Sequence, residues 1–164
     1  MIRLPILVAL GVYTGTWHSP GGTMQDHSSA RIRKLLAKGP SVGDLLALCE
    51  ENYQYLHSLV PQLKRLQGKH CSSRPDHQDL HLTIEEQTPY TTLLRLTYKF
   101  PHADGGLSDP DVLLRVYHDA RQVEVEDLRQ QNLPTRRLYE APGLMNKWRL
   151  NLFVSKWLAF CVRQ

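Results

Sequence analysis

The stretch DLHLTIEEQTPYTTLLRLTYKF, Asp79–Phe100, decides the fold class. Leu80, Leu82 and Ile84 alternate with His81, Thr83 and Glu85, the period-two pattern of a half-buried strand. Gln87-Thr88-Pro89-Tyr90 reads as a turn. Thr91–Phe100 then resumes the alternation, with Leu94, Leu96, Tyr98 and Phe100 on one face and Arg95, Thr97 and Lys99 on the other. Downstream, the Pro- and Gly-bearing stretch Pro101–Pro110 is expected to be a surface loop. Asp111–His118 predicts a third strand with Val112, Leu114 and Val116 inward. Asp119-Ala120-Arg121 is short enough for a hairpin turn, and Gln122–Asp127 predicts a fourth strand with Val123 and Val125 inward. Upstream, Gln67–Gln78 is polar and broken by Gly and Pro, so a loop is expected there.

Two helical patterns bracket these strands. Ser41-Val42-Gly43-Asp44 has the spacing of a capping box. After it, Leu45, Leu48, Cys49, Asn52, Leu56 and Leu59 recur at three-and-four spacing, and Pro61 ends the run. Leu128–Gly143 is irregular. A last helix is expected from Leu144 or Asn146 to Val162, with Leu150, Phe153, Val154, Trp157, Leu158 and Cys161 as its apolar stripe. The expected architecture is α+β: a four-stranded antiparallel sheet of two hairpin-like strand pairs, flanked by an N-terminal and a C-terminal amphipathic helix. The second sheet face, with Thr83, Glu85, Arg95, Thr97, Lys99, Arg115 and Tyr117, is expected to be solvated and laced by Glu–Arg pairs, the alternative being the floor of a polar groove.

The 164 residues suit one domain, expected over residues 41–164. Residues 24–40 read as a flexible or partly helical basic arm. In residues 1–23 the apolar run Leu4–Val12 is too short to span a bilayer. It has a signal-like outline, but Thr14-Gly15-Thr16-Trp17 makes a poor cleavage end. The segment is therefore expected to be upstream sequence ahead of a start at Met24, or a disordered arm. Three cysteines without paired spacing, Cys49, Cys71 and Cys161, argue against a disulfide framework and for a cytoplasmic location. Apolar residues at 41% and charged residues at 22% permit a packed core and exclude wholesale disorder. The net charge of +4 is mild and its basic clusters are short, which disfavours a nucleic-acid partner. RNA binding through the basic arm and Arg95, Lys99, Arg115 and Tyr117 is the weakest reading, and no membrane partner is expected.

Three polar groups merit attention. In Tyr117-His118-Asp119, a His beside an Asp has the types of a general base and its orienting carboxylate. Neighbours on a strand point to opposite faces, however, so Asp119 is expected to organise the turn and His118 to close the core edge. Asn52 lies on the apolar stripe beside Glu50 and Tyr53, where it must find a hydrogen-bond partner. Cys71, His77 and His81 form C-x5-H-x3-H, a spacing that contains a zinc-site element but lacks a second Cys pair; no metal or cofactor is expected. Trp148, Leu152 and Phe160 lie partly off the stripe of the last helix and are candidates for a surface that meets a protein partner or a second copy. There is no Gly-rich phosphate loop, G-x-S-x-G or H-E-x-x-H. The sequence therefore leans away from an enzyme and toward a binding or adaptor domain. The alternative is a small-ligand binder or enzyme with His118, Asp119, Tyr117, Glu50 and Asn52 around one pocket.

Four blocks also carry a resemblance. LCEENYQYLHSLVP (Leu48–Pro61), LTIEEQTPYTTLLRL (Leu82–Leu96), VYHDARQVEV (Val116–Val125) and NLFVSKWLAFCV (Asn151–Val162) are similar, in order and spacing, to the YqiB-like family, domain of unknown function 1249. The likeness runs from about Leu45 to Val162 and does not extend over the first forty residues. It implies a small cytoplasmic bacterial protein. It brings no reaction, cofactor or ligand, and no residue inherits a catalytic role from it.

Overall fold

The computed structural model describes residues 32–33, 37–73, 77–101, 106–130 and 143–164. The expectations for residues 1–23, and for most of 24–40 and 128–143, lie outside them; residues 32–33 and 37–38 are helical.

Helix α1, Val42–Leu59, starts where the capping box predicts. Ser41 Oγ accepts the Asp44 backbone N–H at 3.2 Å, and Asp44 Oδ2 accepts the Ser41 N–H at 2.9 Å. Each closes a donor that the first turn leaves open. At the other end the Val60 N–H bonds the Leu56 carbonyl, and Pro61 follows. Cys49, Asn52 and Leu56 are buried; Glu50, Glu51 and Gln54 are exposed.

The sheet has five antiparallel strands rather than four, in sequence order: β1 (Lys69–Ser72), β2 (Leu80–Gln87), β3 (Thr91–Phe100), β4 (Leu107–Tyr117) and β5 (Gln122–Arg129). The additional strand, β1, occupies the edge inside the expected loop. All four of its residues are exposed, so it has no buried–exposed alternation to betray it. Strand β4 likewise begins four residues inside the expected surface loop. Its ladder with β3 breaks between Thr97↔Asp111 and Lys99↔Ser108, so Asp109 and Pro110 fall out of the pairing. A Pro has no N–H to give a ladder, and a bulge is where a strand tolerates one.

One sheet face presents Leu82, Leu94, Leu96, Tyr98, Val112, Leu114, Val116, Val123 and Val125 to the helices. Helix α2, Leu144–Arg163, answers with Phe153, Val154, Trp157, Leu158 and Cys161, and α1 with Leu56. The two helices pack on one another across this face: Asn52 Nδ2 donates to Asn151 Oδ1, and Ser155 Oγ donates to Glu51. Because α2 packs on α1 as well as on the sheet, its buried arc is wider than one stripe. That arc includes Trp148, which is 1% exposed and therefore belongs to the core, not to a partner surface. Leu152 is half-buried and Phe160 is exposed.

The opposite face carries the charge pairs that its composition predicts. Arg95 Nη1 donates to both carboxylate oxygens of Asp111 on β4, at 3.0 and 2.9 Å, while its Nε reaches Glu85 on β2 at 3.2 Å. Arg115 on β4 pairs with Glu126 on β5. Such half-exposed pairs set strand register more than they add stability.

Candidate functional site

A cleft of about 380 Å³ opens where α1 ends, the chain turns through a short 3₁₀ segment (Leu63–Arg65), and β4 finishes. Tyr53, Leu56 and His57 line it from one side of α1, joined by Val60 at the helix's C-terminal cap. Leu63 and Val116 complete an apolar floor, and Lys64 and Arg65 stand exposed at the rim. The turn is held in place from the sheet: the Gln87 side-chain amide donates to the Lys64 carbonyl at 2.6 Å. The Tyr53 and His57 rings stack at 6.0 Å with an 8° interplanar angle, and the Arg121 guanidinium lies 6.0 Å from the Tyr53 ring. Arg121 reaches there from the hairpin turn, where it adopts a left-handed φ of 54°.

His118 closes the base of the cleft. Its backbone N–H bonds the Tyr90 carbonyl at 2.9 Å, and its Nε2 lies 2.8 Å from Thr92 Oγ1. Burial lowers its pKa below the ordinary imidazole value, Lys64 lowers it further, and Asp119 partly opposes them. The ring is therefore neutral at pH 7. Among the described residues Nδ1 takes no hydrogen bond, which leaves it available to a bound molecule. Thr92 is fully buried, so the Thr–His pair orients an imidazole and does not present a nucleophile. Among the described residues the lining contains no carboxylate, serine or cysteine. This arrangement can hold an anionic group against an apolar wall; it lacks the nucleophile–base pair of covalent catalysis.

Of the five polar candidates from sequence, only His118 reaches this cleft. Tyr117 points to the other side of the sheet, as the strand period demands. Asp119 sits in the turn and accepts the Ala120 N–H at 2.9 Å, its expected structural role. Glu50 is exposed on α1. Asn52 lies in the seam between the helices: its Nδ2 donates to Asn151 Oδ1 at 3.2 Å, and the same oxygen accepts the Val125 backbone N–H at 3.3 Å. Asn151 in turn donates to the Lys147 carbonyl at 2.9 Å. The two amides thus fasten α1, α2 and β5 together; they do not face a ligand. The cleft residues that sequence reasoning did not assemble are Tyr53, His57, Lys64 and Arg65. Their signal was limited to a short basic cluster after Pro61.

A second, smaller cavity of about 230 Å³ lies between the last turns of both helices and the β1–β2 edge, lined in part by Leu59, Leu66, His70, His77, Cys161 and Gln164. At its base the Tyr98 hydroxyl lies 3.1 Å from Cys161 Sγ and donates to Gln164 Oε1 at 3.3 Å. Burial pushes the Cys161 thiol up to about 11, and burial with Glu124 nearby does the same to Cys49. Both are protonated at neutral pH and are core residues, not nucleophiles. Cys71 and His81 stand directly opposite one another in the β1–β2 register; Cys71 and the third member of the sequence-derived trio, His77, both line the second cavity, whereas His81 does not.

No helix among the described residues is long and apolar enough to cross a membrane. A family model described as "Protein of unknown function (DUF1249)" matches residues 55–164 of the chain, which include the five strands, α2 and most of the cleft lining. Uncharacterized protein YqiB of Escherichia coli strain K12 is 30% identical over 130 residues, a span of 75% of this chain and 89% of that protein. The proteins of the same name from E. coli O6:H1 and O157:H7 match to the same extent. No solved structure matches.

Proposed function

Because the chain belongs to the DUF1249 family, whose description assigns no activity, we propose its function from the cleft itself: a non-enzymatic binding domain for a small anionic ligand with an apolar portion. The observation that carries this reading is the composition of the cleft wall. Leu56, Val60, Leu63 and Val116 offer a dry surface, and every ionisable group able to carry charge in the lining, apart from the Tyr53 phenol, is a base: His57, Lys64, Arg65 and His118. A volume of about 380 Å³ falls within the roughly 300–1,000 Å³ of small-molecule sites. The negative pole of α1 also points toward this end, so attraction of an anion rests on the side-chain cations and weakens with salt. A reducing, cytoplasmic setting accompanies the reading, since Cys49, Cys71 and Cys161 are all free.

The adaptor alternative loses support once Trp148 is counted in the core. Among the described residues, the exposed large apolar side chains are dispersed over the start of α1 (Val42, Leu46), the β2–β3 turn (Tyr90) and the end of α2 (Phe160, Val162). A thermal-shift screen of small phosphates, carboxylates and nucleotides tests the cleft. A ligand at about a hundred times its dissociation constant adds roughly 2.7 kcal/mol, a shift of several degrees for a domain of this size. A shift lost in Lys64→Glu/Arg65→Glu supports the proposal, and one that the double variant retains removes it.

A further inference from the structure

The cross-strand pair at the sheet edge acquires a third member that the sequence spacing did not include. Cys71 on β1 and His81 on β2 are register partners, and Cys71 Sγ lies 3.9 Å from His81 Nε2. Asp79, two residues before His81, falls on the same face of the chain by the strand period. One ligand atom from each of Cys71, Asp79 and His81 lies within 4.8 Å of the other two. From this convergence we propose that Cys71, Asp79 and His81 form a binding site for a borderline-soft divalent cation of the Zn²⁺ class, with water in the remaining position.

The geometry fits the ion with little rearrangement. A Zn–S bond of about 2.3 Å and a Zn–N bond of about 2.0–2.1 Å at a tetrahedral angle set sulfur and nitrogen roughly 3.6 Å apart. The observed separation needs to close by a few tenths of an ångström. Cys71 is exposed and His81 and Asp79 are half-buried, so rotamer changes at the surface can supply that closure without disturbing the core. The donor set is one thiolate, one imidazole and one carboxylate, a mixture that favours Zn²⁺ over Mg²⁺ or Ca²⁺. Binding replaces the S–H bond of Cys71 with an S–metal bond and releases that proton to solvent, so affinity rises with pH. Lys69, which shares the strand face with Cys71, carries a charge that opposes the cation; the two anionic donors outweigh it. The ion would clip β1, all four of whose residues are exposed, to β2. This site shares no residue with the anion-binding cleft and stands independently of it.

The test is titration of the reduced full chain with Co²⁺, followed by Zn²⁺. Wild-type protein is expected to bind one Co²⁺ with a thiolate-to-metal charge-transfer band that Zn²⁺ abolishes. The band reports Cys71, because the other two thiols are buried. Cys71→Ser is expected to remove it. His81→Ala and Asp79→Asn are expected to weaken binding roughly tenfold or more, with unchanged circular dichroism in all three. His77→Ala, whose ring lies outside the cluster, is expected to keep both the band and the affinity. Absence of the band in wild-type protein overturns the proposal. So does a band that persists in Cys71→Ser, or a loss in His77→Ala equal to that in His81→Ala.

Discussion

Thr92 Oγ1 lies 2.8 Å from His118 Nε2, tying β3 to the end of β4 directly beneath the cleft. The bond fixes the plane of an imidazole whose pKa is lowered first by burial and then by Lys64. A lowered folded-state pKa means that the unfolded chain takes up the proton first as pH falls. The contribution of neutral His118 to stability is therefore complete above the unfolded value of 6.5 and declines as pH drops through it. The difference in urea midpoint between wild type and His118→Gln is expected to shrink between about pH 7 and pH 5. A difference that stays constant over that interval contradicts the assignment.

The seam between the helices makes a second, larger prediction. Asn151 Oδ1 accepts from Asn52 Nδ2, from the Val125 N–H and, at 3.8 Å, from Cys49 Sγ, so Asn151→Ala removes all three bonds and leaves Asn52 Nδ2 only the Asn151 carbonyl at 3.4 Å. A loss of about 2–4 kcal/mol is expected in urea unfolding. Asn52 Oδ1 already lacks a protein partner among the described residues, so Asn52→Ala is expected to cost less. The double variant is expected to cost less than the sum, because the two share one interaction. Strict additivity would show that the amides act separately.

Trp148 and Phe160 separate core from surface on α2. Trp148→Ala is expected to lose about 3–5 kcal/mol, the scale of a large buried aromatic. Phe160→Ala is expected to stay within about 0.5 kcal/mol of wild type. Equal effects in thermal or urea unfolding would contradict the burial that places one inside and the other out.

The helices and four of the five strands were legible in the sequence because each carries its own periodicity and punctuation: Ser41 and Asp44 open α1, Pro61 follows its end, and Leu94, Leu96 and Tyr98 mark one face of β3. Strand β1 was not legible, since a fully exposed edge strand leaves no pattern. That in turn hid the Cys71–His81 pairing, which exists only once β1 lies against β2. Trp148 was misplaced because a stripe computed for one packing partner is too narrow for a helix with two. That His118 and Asp119 are poorly placed to bond side chain to side chain was expected from strand geometry alone. The cleft was not, because Tyr53 and His57, Lys64 and Arg65, and His118 come from three elements, and nothing in their spacing along the chain announces that they meet.

The most direct test of the binding cleft is a titration of isotope-labelled full chain with phenyl phosphate, an anion on an apolar ring, followed by imidazole and backbone NMR. Shifts are expected at His118, His57 and the amides of Leu63–Arg65, with the His118 pKa rising toward the ordinary value as the anion settles beside it. Binding should strengthen as pH falls and weaken as salt rises. Signals at these residues that stay fixed while phenyl phosphate binds elsewhere, or an unmoved His118 pKa at saturation, would contradict the account.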